Sequence, residues 1–245
     1  MNRHFFAALA GLLGSCGSAP ALADPGYYVV TAYDNAGKRV VDFRYWTVKM
    51  PGRPETVWPE IGLGYGVNSR WYTELLASYV GSSQMPYKLS TLNWQNEILL
   101  TQGEWPFDLA LHAQLIRNHD VVNTTTLEAG PVFQADVGRW QLNANAFFDR
   151  GVGGAEPRTA ELKYQWQAKY RTRDGLNFGL QGFGELGPWR DWLPSKEQSH
   201  RVGPAIEATL PAGGAATLLL QGAFLSGKTY GRQGHMLSLR AAYAF

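Results

Sequence analysis

The chain has 245 residues, a formal net charge of +2, aromatic residues at 13% and a single cysteine. So small a net charge excludes the broad basic surface that a nucleic-acid partner demands, and no stretch after the first residues holds the ~18 consecutive apolar residues of a membrane helix. A chain of this length suits one β domain, since closed barrels and sandwiches reach it as a single unit.

At the start, Met1, Asn2 and Arg3 give a short positive segment, Phe5 to Leu13 an apolar core, and Ala21-Leu22-Ala23 small residues at a peptidase cleavage position. That order predicts a secretory signal peptide over 1–23, cut before Asp24. Leu13-Gly14-Ser15-Cys16 resembles a bacterial lipoprotein box, which leaves lipidation at Cys16 as the alternative. With ordinary cleavage the mature chain holds no cysteine, and so no disulfide, thiol nucleophile or thiolate metal site.

Residues 24–38 form a lead: a β-rich piece from Tyr27 to Tyr33, then a turn over Asp34-Asn35-Ala36-Gly37. By parity it is expected on the periplasmic side, where it either folds into the interior as a small plug or adds to an edge. From there the period-two pattern predicts strands at 39–49, 57–67, 71–80, 88–100, 105–117, 123–137, 139–150, 158–172, 175–186, 199–210, 215–226 and 234–245. Five connections read as tight turns: 68–70, 102–104, Gly138, 173–175 and 212–214. The others, 50–56, 81–87, 118–122, 151–157, 187–198 and 227–233, are longer. Short turns on one side and long loops on the other are how outer-membrane barrels are built. An even strand count returns the last strand to the side on which the first began.

The alternation separates two faces. Ile61, Leu63, Tyr65 and Val67, then Trp140, Leu142, Ala144, Ala146 and Phe148, then Leu162, Tyr164, Trp166, Ala168 and Tyr170 share one side of their strands. Asn143, Asn145, Gln165 and Gln167 stand among the residues on the other. An apolar exterior around a polar interior is the pattern of a membrane barrel, and the nine tryptophans suit its aromatic girdles. A soluble sandwich or lipocalin-like barrel would reverse the faces, and this alternation supplies too few large side chains to fill it. The expected fold is thus all-β, a single up-and-down antiparallel transmembrane barrel of about twelve strands over 39–245.

The last strand, with Leu237, Leu239, Ala241, Tyr243 and Phe245 apolar at alternate positions, resembles the terminal assembly signal of bacterial outer-membrane barrels. Leu239, Tyr243 and Phe245 are its signature residues, and the resemblance implies the outer-membrane assembly machinery, lipid and lipopolysaccharide as partners. The hairpin Gly62-Leu63-Gly64-Tyr65-Gly66-Val67-Asn68-Ser69-Arg70-Trp71-Tyr72-Thr73-Glu74-Leu75 resembles one found early in the phenol-degradation meta-pathway proteins, a group of transport barrels. That likeness implies an outer-membrane channel for small molecules, aromatic or apolar ones among them.

Candidate pore-lining residues on the polar face are Glu60, Glu74, Glu97, Asp108, His112, Glu128, Asp136, Asp149, Lys163, Lys169, Arg171, Arg201 and Arg240. Glu161, Glu185, Glu207 and Arg117 are read onto the same face. Acidic members predominate on strands two to seven and basic ones on strands eight, ten and twelve. This division predicts either a transverse field across a pore or a salt-bridge network that fills it. Trp189, Arg190, Asp191 and Trp192 in one long loop form either a lid over the mouth or part of the aromatic girdle. Gly130-Pro131 and Gly203-Pro204 predict a bulge or bend. The stripe Gly62, Gly64, Gly66 leaves room for another part of the chain or for sharp curvature.

Catalysis has little to stand on. Ser199 and His200 are adjacent and point to opposite faces, and no Ser-x-x-Lys, Gly-x-Ser-x-Gly or His-Glu-x-x-His pattern occurs. No catalytic residue, metal site or cofactor is assigned. The expected role is passive uptake of an unidentified small molecule. The alternatives are an outer-membrane enzyme acting on lipid or envelope material through His112 or another histidine, and a plugged structural barrel.

Overall fold

The computed structural model describes residues 28–32, 37–119, 124–152, 159–172, 175–229 and 231–245. The signal-peptide and lipoprotein readings lie outside them. Twelve strands run in order: β1 Arg39–Val48, β2 Thr56–Gly66, β3 Trp71–Ser82, β4 Met85–Leu99, β5 Asp108–Asn118 and β6 Thr125–Val137, followed by β7 Trp140–Val152, β8 Glu161–Arg171, β9 Leu176–Pro188, β10 Ser199–Pro211, β11 Thr217–Thr229 and β12 Arg232–Ala244. Each pairs antiparallel with its neighbours in sequence, and β12 returns to β1 from Val40↔Ala244 to Trp46↔Ser238, closing the barrel. Closure leaves no unpaired edge, so the wall satisfies its own backbone groups, as a lipid environment requires.

The two faces follow from the period of two. Leu63, Leu75, Trp94, Phe178, Leu180 and Ile206 stand exposed on the outside, whereas Glu60, Glu74, Gln95, Asn143, Gln167 and Gln181 are buried inside. Arg117, read onto the interior, is an exception. It shares the outer parity of Leu115 and donates to Thr125 Oγ1 at 3.1 Å. On β5 the even positions His112 and Gln114 are buried inside, so an odd position cannot join them.

Some connections differ from expectation. The loops expected at 81–87 and 227–233 are largely strand, because the ladders continue to Ser82↔Met85 and Thr229↔Arg232. The link after β4 is longer than a tight turn. There Gly103 N–H donates to Asp108 Oδ1 at 2.6 Å and Leu109 N–H to Thr101 Oγ1 at 2.8 Å, and these local side-chain acceptors compete with the ladder.

Gly130-Pro131 and Gly203-Pro204 interrupt pairing with β7 and β11, yet the register before and after each is unchanged, so neither is a bulge. The backbones instead approach so closely that a Cβ on Gly130 would lie 1.9 Å from Ala146 O, and one on Gly203 1.8 Å from Phe224 O. Register shifts occur elsewhere, between β3 and β4 near Ser78 and Val80 and between β8 and β9 at Leu162/Lys163. The interior glycine stripe on β2 is covered by β3: Cβ atoms at Gly62 and Gly64 would strike Glu74, Leu76 and Tyr72.

None of the described residues of the lead belongs to a strand. Residues 28–32 enter the lumen between two apolar clusters. One holds Val29 with Trp46, Val48, Phe183, Ala223, Leu225 and Met236, the other Val30 and Ala32 with Leu99, Ala110, Val132 and Phe147.

Candidate functional site

The interior is a set of buried polar groups held by different strands, and Arg44 is its most connected cation. Its Nε donates to Asp42 Oδ2 at 2.7 Å, Nη1 to Glu60 Oε1 at 3.3 Å and Nη2 to Glu74 Oε2 at 2.6 Å. The guanidinium also stacks on the Tyr28 ring, 4.0 Å from its centroid, and touches the Tyr28 hydroxyl. Arg240 approaches the same group from β12, with Nη2 2.8 Å from Asp42 Oδ2. A planar fork of donors suits this task, since it serves several carboxylates at once where an ammonium would act as a point charge.

A second group spans β4 to β8. His112 lies between two carboxylates, with Nδ1 against Glu97 and Nε2 3.0 Å from Glu128 Oε1. Glu128 Oε2 then faces Lys163 Nζ at 3.6 Å, and Lys163 is also paired with Asp149. Arg201 meets Glu185, which accepts from Ser199 Oγ at 3.0 Å. Lys169 Nζ donates to both oxygens of Glu207 at 2.8 and 2.9 Å, and Asn177 and Gln221 complete that carboxylate's shell. Removing these charges from bulk water is costly unless they are paired, and each has at least one oppositely charged partner.

The structure therefore gathers Glu60, Glu74 and Arg240 into one cluster and Glu97, His112, Glu128, Asp149 and Lys163 into another. Arg201 and Lys169 form pairs of their own. Asp136 and Arg171 pair with each other at the rim where the side chains are half exposed, and Asp108 serves the β4–β5 link. Charges meet in local pairs and clusters between nearby strands, and not as opposed acidic and basic walls. Asp42 and Arg44 are absent from the sequence-derived candidates. The inner face of β1 reads Val40, Asp42, Arg44, Trp46, Val48, and this mixture of apolar and charged residues hides the polar face that alternation reveals elsewhere.

The proposed lid residues lie apart from this network. Trp189 packs edge-on against Phe148, centroids 6.1 Å apart, and Phe148 is on the outer wall. The Arg190 guanidinium covers the Trp189 ring at 4.8 Å, and Trp192 is exposed. Leu239, Tyr243 and Phe245 also face outward, with the Tyr243 and Phe245 rings stacked 5.4 Å apart. Among the other histidines, His200 bonds Tyr164 Oη and Gln198 Oε1, both at 2.8 Å, while its neighbour Ser199 turns inward to Glu185.

Residues 28–32 are tied to the wall through Val30. Val30 N–H donates to Gln165 Oε1 at 3.1 Å, and Asn145 Nδ2 donates to Val30 O at 2.8 Å. Beside it remains a cavity of about 20 Å³, bordered by Tyr28, Gln167, Glu207 and Arg240, enough for about one water. A roomier recess of about 290 Å³ lies between Met50, Arg53, Trp58 and Met85.

No family model matches the chain, and no curated protein is a significant relative. Solved structures do resemble it. An outer membrane channel from Pseudomonas putida F1 superposes with a TM-score of 0.61 at 13% identity, covering 91% of this chain and all of that one. The NanC porin gives 0.56 at 9% identity, covering 84% and 98%. The β domain of the Bordetella autotransporter BrkA gives 0.51 at 15% identity, covering 86% and 99%. At such identities the shared property is the fold, a closed outer-membrane type of β-barrel.

Proposed function

We propose that this chain is an outer-membrane channel for small molecules, held closed in the described state by residues 28–32. The observation behind the reading is the contrast between wall and plug. The wall is a closed barrel with a polar interior, whereas residues 28–32 lie within that interior without joining the sheet. The two main-chain bonds at Val30 and the contacts of Tyr28, Val29 and Ala32 can be exchanged without breaking a strand ladder. The porin and channel folds that superpose on the chain fit this reading.

Secretion with cleavage after Ala23, insertion among lipid and lipopolysaccharide, and recognition of Leu239, Tyr243 and Phe245 by the assembly machinery belong to the same proposal. The glycine-rich hairpin at 62–75 resembles that of the phenol-degradation meta-pathway barrels and points toward small aromatic or apolar cargo. The carboxamides along β7 to β9 point toward a solute that also makes hydrogen bonds.

The test is conductance in a planar bilayer, after heated and unheated gels establish a closed barrel. The full chain and a full-length Val29→Asp/Val30→Asp variant are compared. Carboxylates at these positions cannot stay in the apolar clusters without a large desolvation cost, so the lead is expelled. The expectation is small or intermittent conductance for the former and larger, sustained steps for the latter. A folded variant with an expelled lead and no conductance overturns the proposal.

A further inference from the structure

The way the lumen holds Val30 is specific in chemistry. A main-chain N–H can meet only an acceptor and a main-chain carbonyl only a donor. Gln165 presents the first through Oε1, and Asn145 the second through Nδ2. The two side chains are fixed relative to one another, because Asn145 Nδ2 also donates to Gln165 Oε1 at 3.1 Å. Together they form a preset receptor for one peptide residue, both of whose polar groups would otherwise be left unsatisfied in a buried site.

On either side of this polar clamp the walls are apolar. Val29 lies with Trp46, Phe183 and Leu225, and Val30 with Val132 and Phe147. Consecutive side chains entering separate clusters, around a residue hydrogen-bonded through both main-chain groups, is the signature of an extended peptide. These two apolar pockets stand beside carboxylates, cations and carboxamides, and they have no role in passing a simple ion. Asn145 Oδ1 is also buried with no protein partner among the described residues, so a ligand can offer one further donor there.

We infer that the Asn145–Gln165 clamp and its two flanking pockets are a binding site for short extended peptides with small apolar side chains at neighbouring positions, and that residues 28–32 occupy it as a resident mimic. This rests on the reading of the lead as a displaceable plug. An incoming peptide would take over the contacts of Val29 and Val30 one for one, so ligand capture and release of the lead are coupled by competition for one site.

The experiment is calorimetric titration of the full-length Val29→Asp/Val30→Asp protein in detergent with a capped pentapeptide of the sequence of residues 28–32. Hydrogen exchange at 28–32 verifies that the lead has left, and Tyr28→Ala is added if those amides stay protected. Binding is expected to the emptied barrel and to be much weaker to the wild-type chain, whose site is filled. Asn145→Asp removes the donor to the carbonyl and should weaken binding about tenfold or more, whereas Gln165→Glu keeps both acceptor roles and should weaken it far less. A depsipeptide with an ester oxygen in place of the N–H corresponding to Val30 should lose affinity on the parent variant.

Equal binding of ester and amide, or no binding to an emptied and closed barrel, overturns the inference. Calorimetry does not require conduction. Binding without conductance removes the channel and keeps the site, and conductance without binding removes the site and keeps the channel.

Discussion

Arg44 Nη2 lies 2.6 Å from Glu74 Oε2, although the two residues are 30 positions apart and belong to strands separated by β2. The contact passes over the inner face of β2, where Gly62 and Gly64 carry no side chain to obstruct it. The glycine stripe and the ionic cluster are thus one design, with bare backbone at Gly62 and Gly64, long charged side chains from the two neighbouring strands, and Glu60 of β2 itself beside them.

Arg44 joins three buried carboxylates, so its removal leaves negative charges facing one another. Arg44→Met should destabilise the barrel by roughly 3–5 kcal/mol, read as a lowered urea midpoint in lipid vesicles. Adding Glu74→Gln should recover part of that loss, because the two residues act on one network. An unchanged midpoint for the single variant would show that the cluster contributes nothing to stability.

Gly130→Ala and Gly203→Ala each place a methyl within 2 Å of a backbone oxygen that cannot move independently of the wall. Both should prevent closure, seen as loss of the heat-dependent shift on gels. Gly222→Ala is the matched control, since its Cβ would meet Leu239 and Ile206 at 3.5 and 3.6 Å, ordinary packing distances. It should fold and change stability by no more than about 0.5 kcal/mol.

Leu75 and Val137 are similarly exposed, at 63% and 61%, but Leu75 lies near the middle of β3 and Val137 at the end of β6. In a bilayer, Leu75→Arg should cost roughly 2–4 kcal/mol and Val137→Arg roughly 0–1 kcal/mol. Equal and negligible effects of both substitutions on unfolding from vesicles would contradict a lipid-facing wall.

Phe245 exchanges two main-chain hydrogen bonds with Arg39, each 2.9 Å long, and its side chain points outward. Phe245→Ala keeps those bonds. Refolding from urea into detergent should therefore be nearly unchanged, while the yield of barrel in the outer membrane falls severalfold if the ring is read by the assembly machinery. Parallel losses in both settings would make the ring merely structural.

Alternation along Leu162 to Tyr170 or Trp140 to Phe148 determines which face of each strand points outward, because side-chain direction in a strand depends only on parity, and the tight turns between consecutive runs determine their antiparallel order. The same rule placed Asn145 and Gln165 in the interior. Parity is one-dimensional, however, and says nothing about which interior groups meet. That Arg44 reaches Glu74 over bare glycines, that His112 sits between Glu97 and Glu128, and that Val30 fills the clamp of Asn145 and Gln165 were decided by closure of the barrel. Closure fixes register and stagger for all strands together, and so brings residues from distant parts of the chain to one height in the lumen.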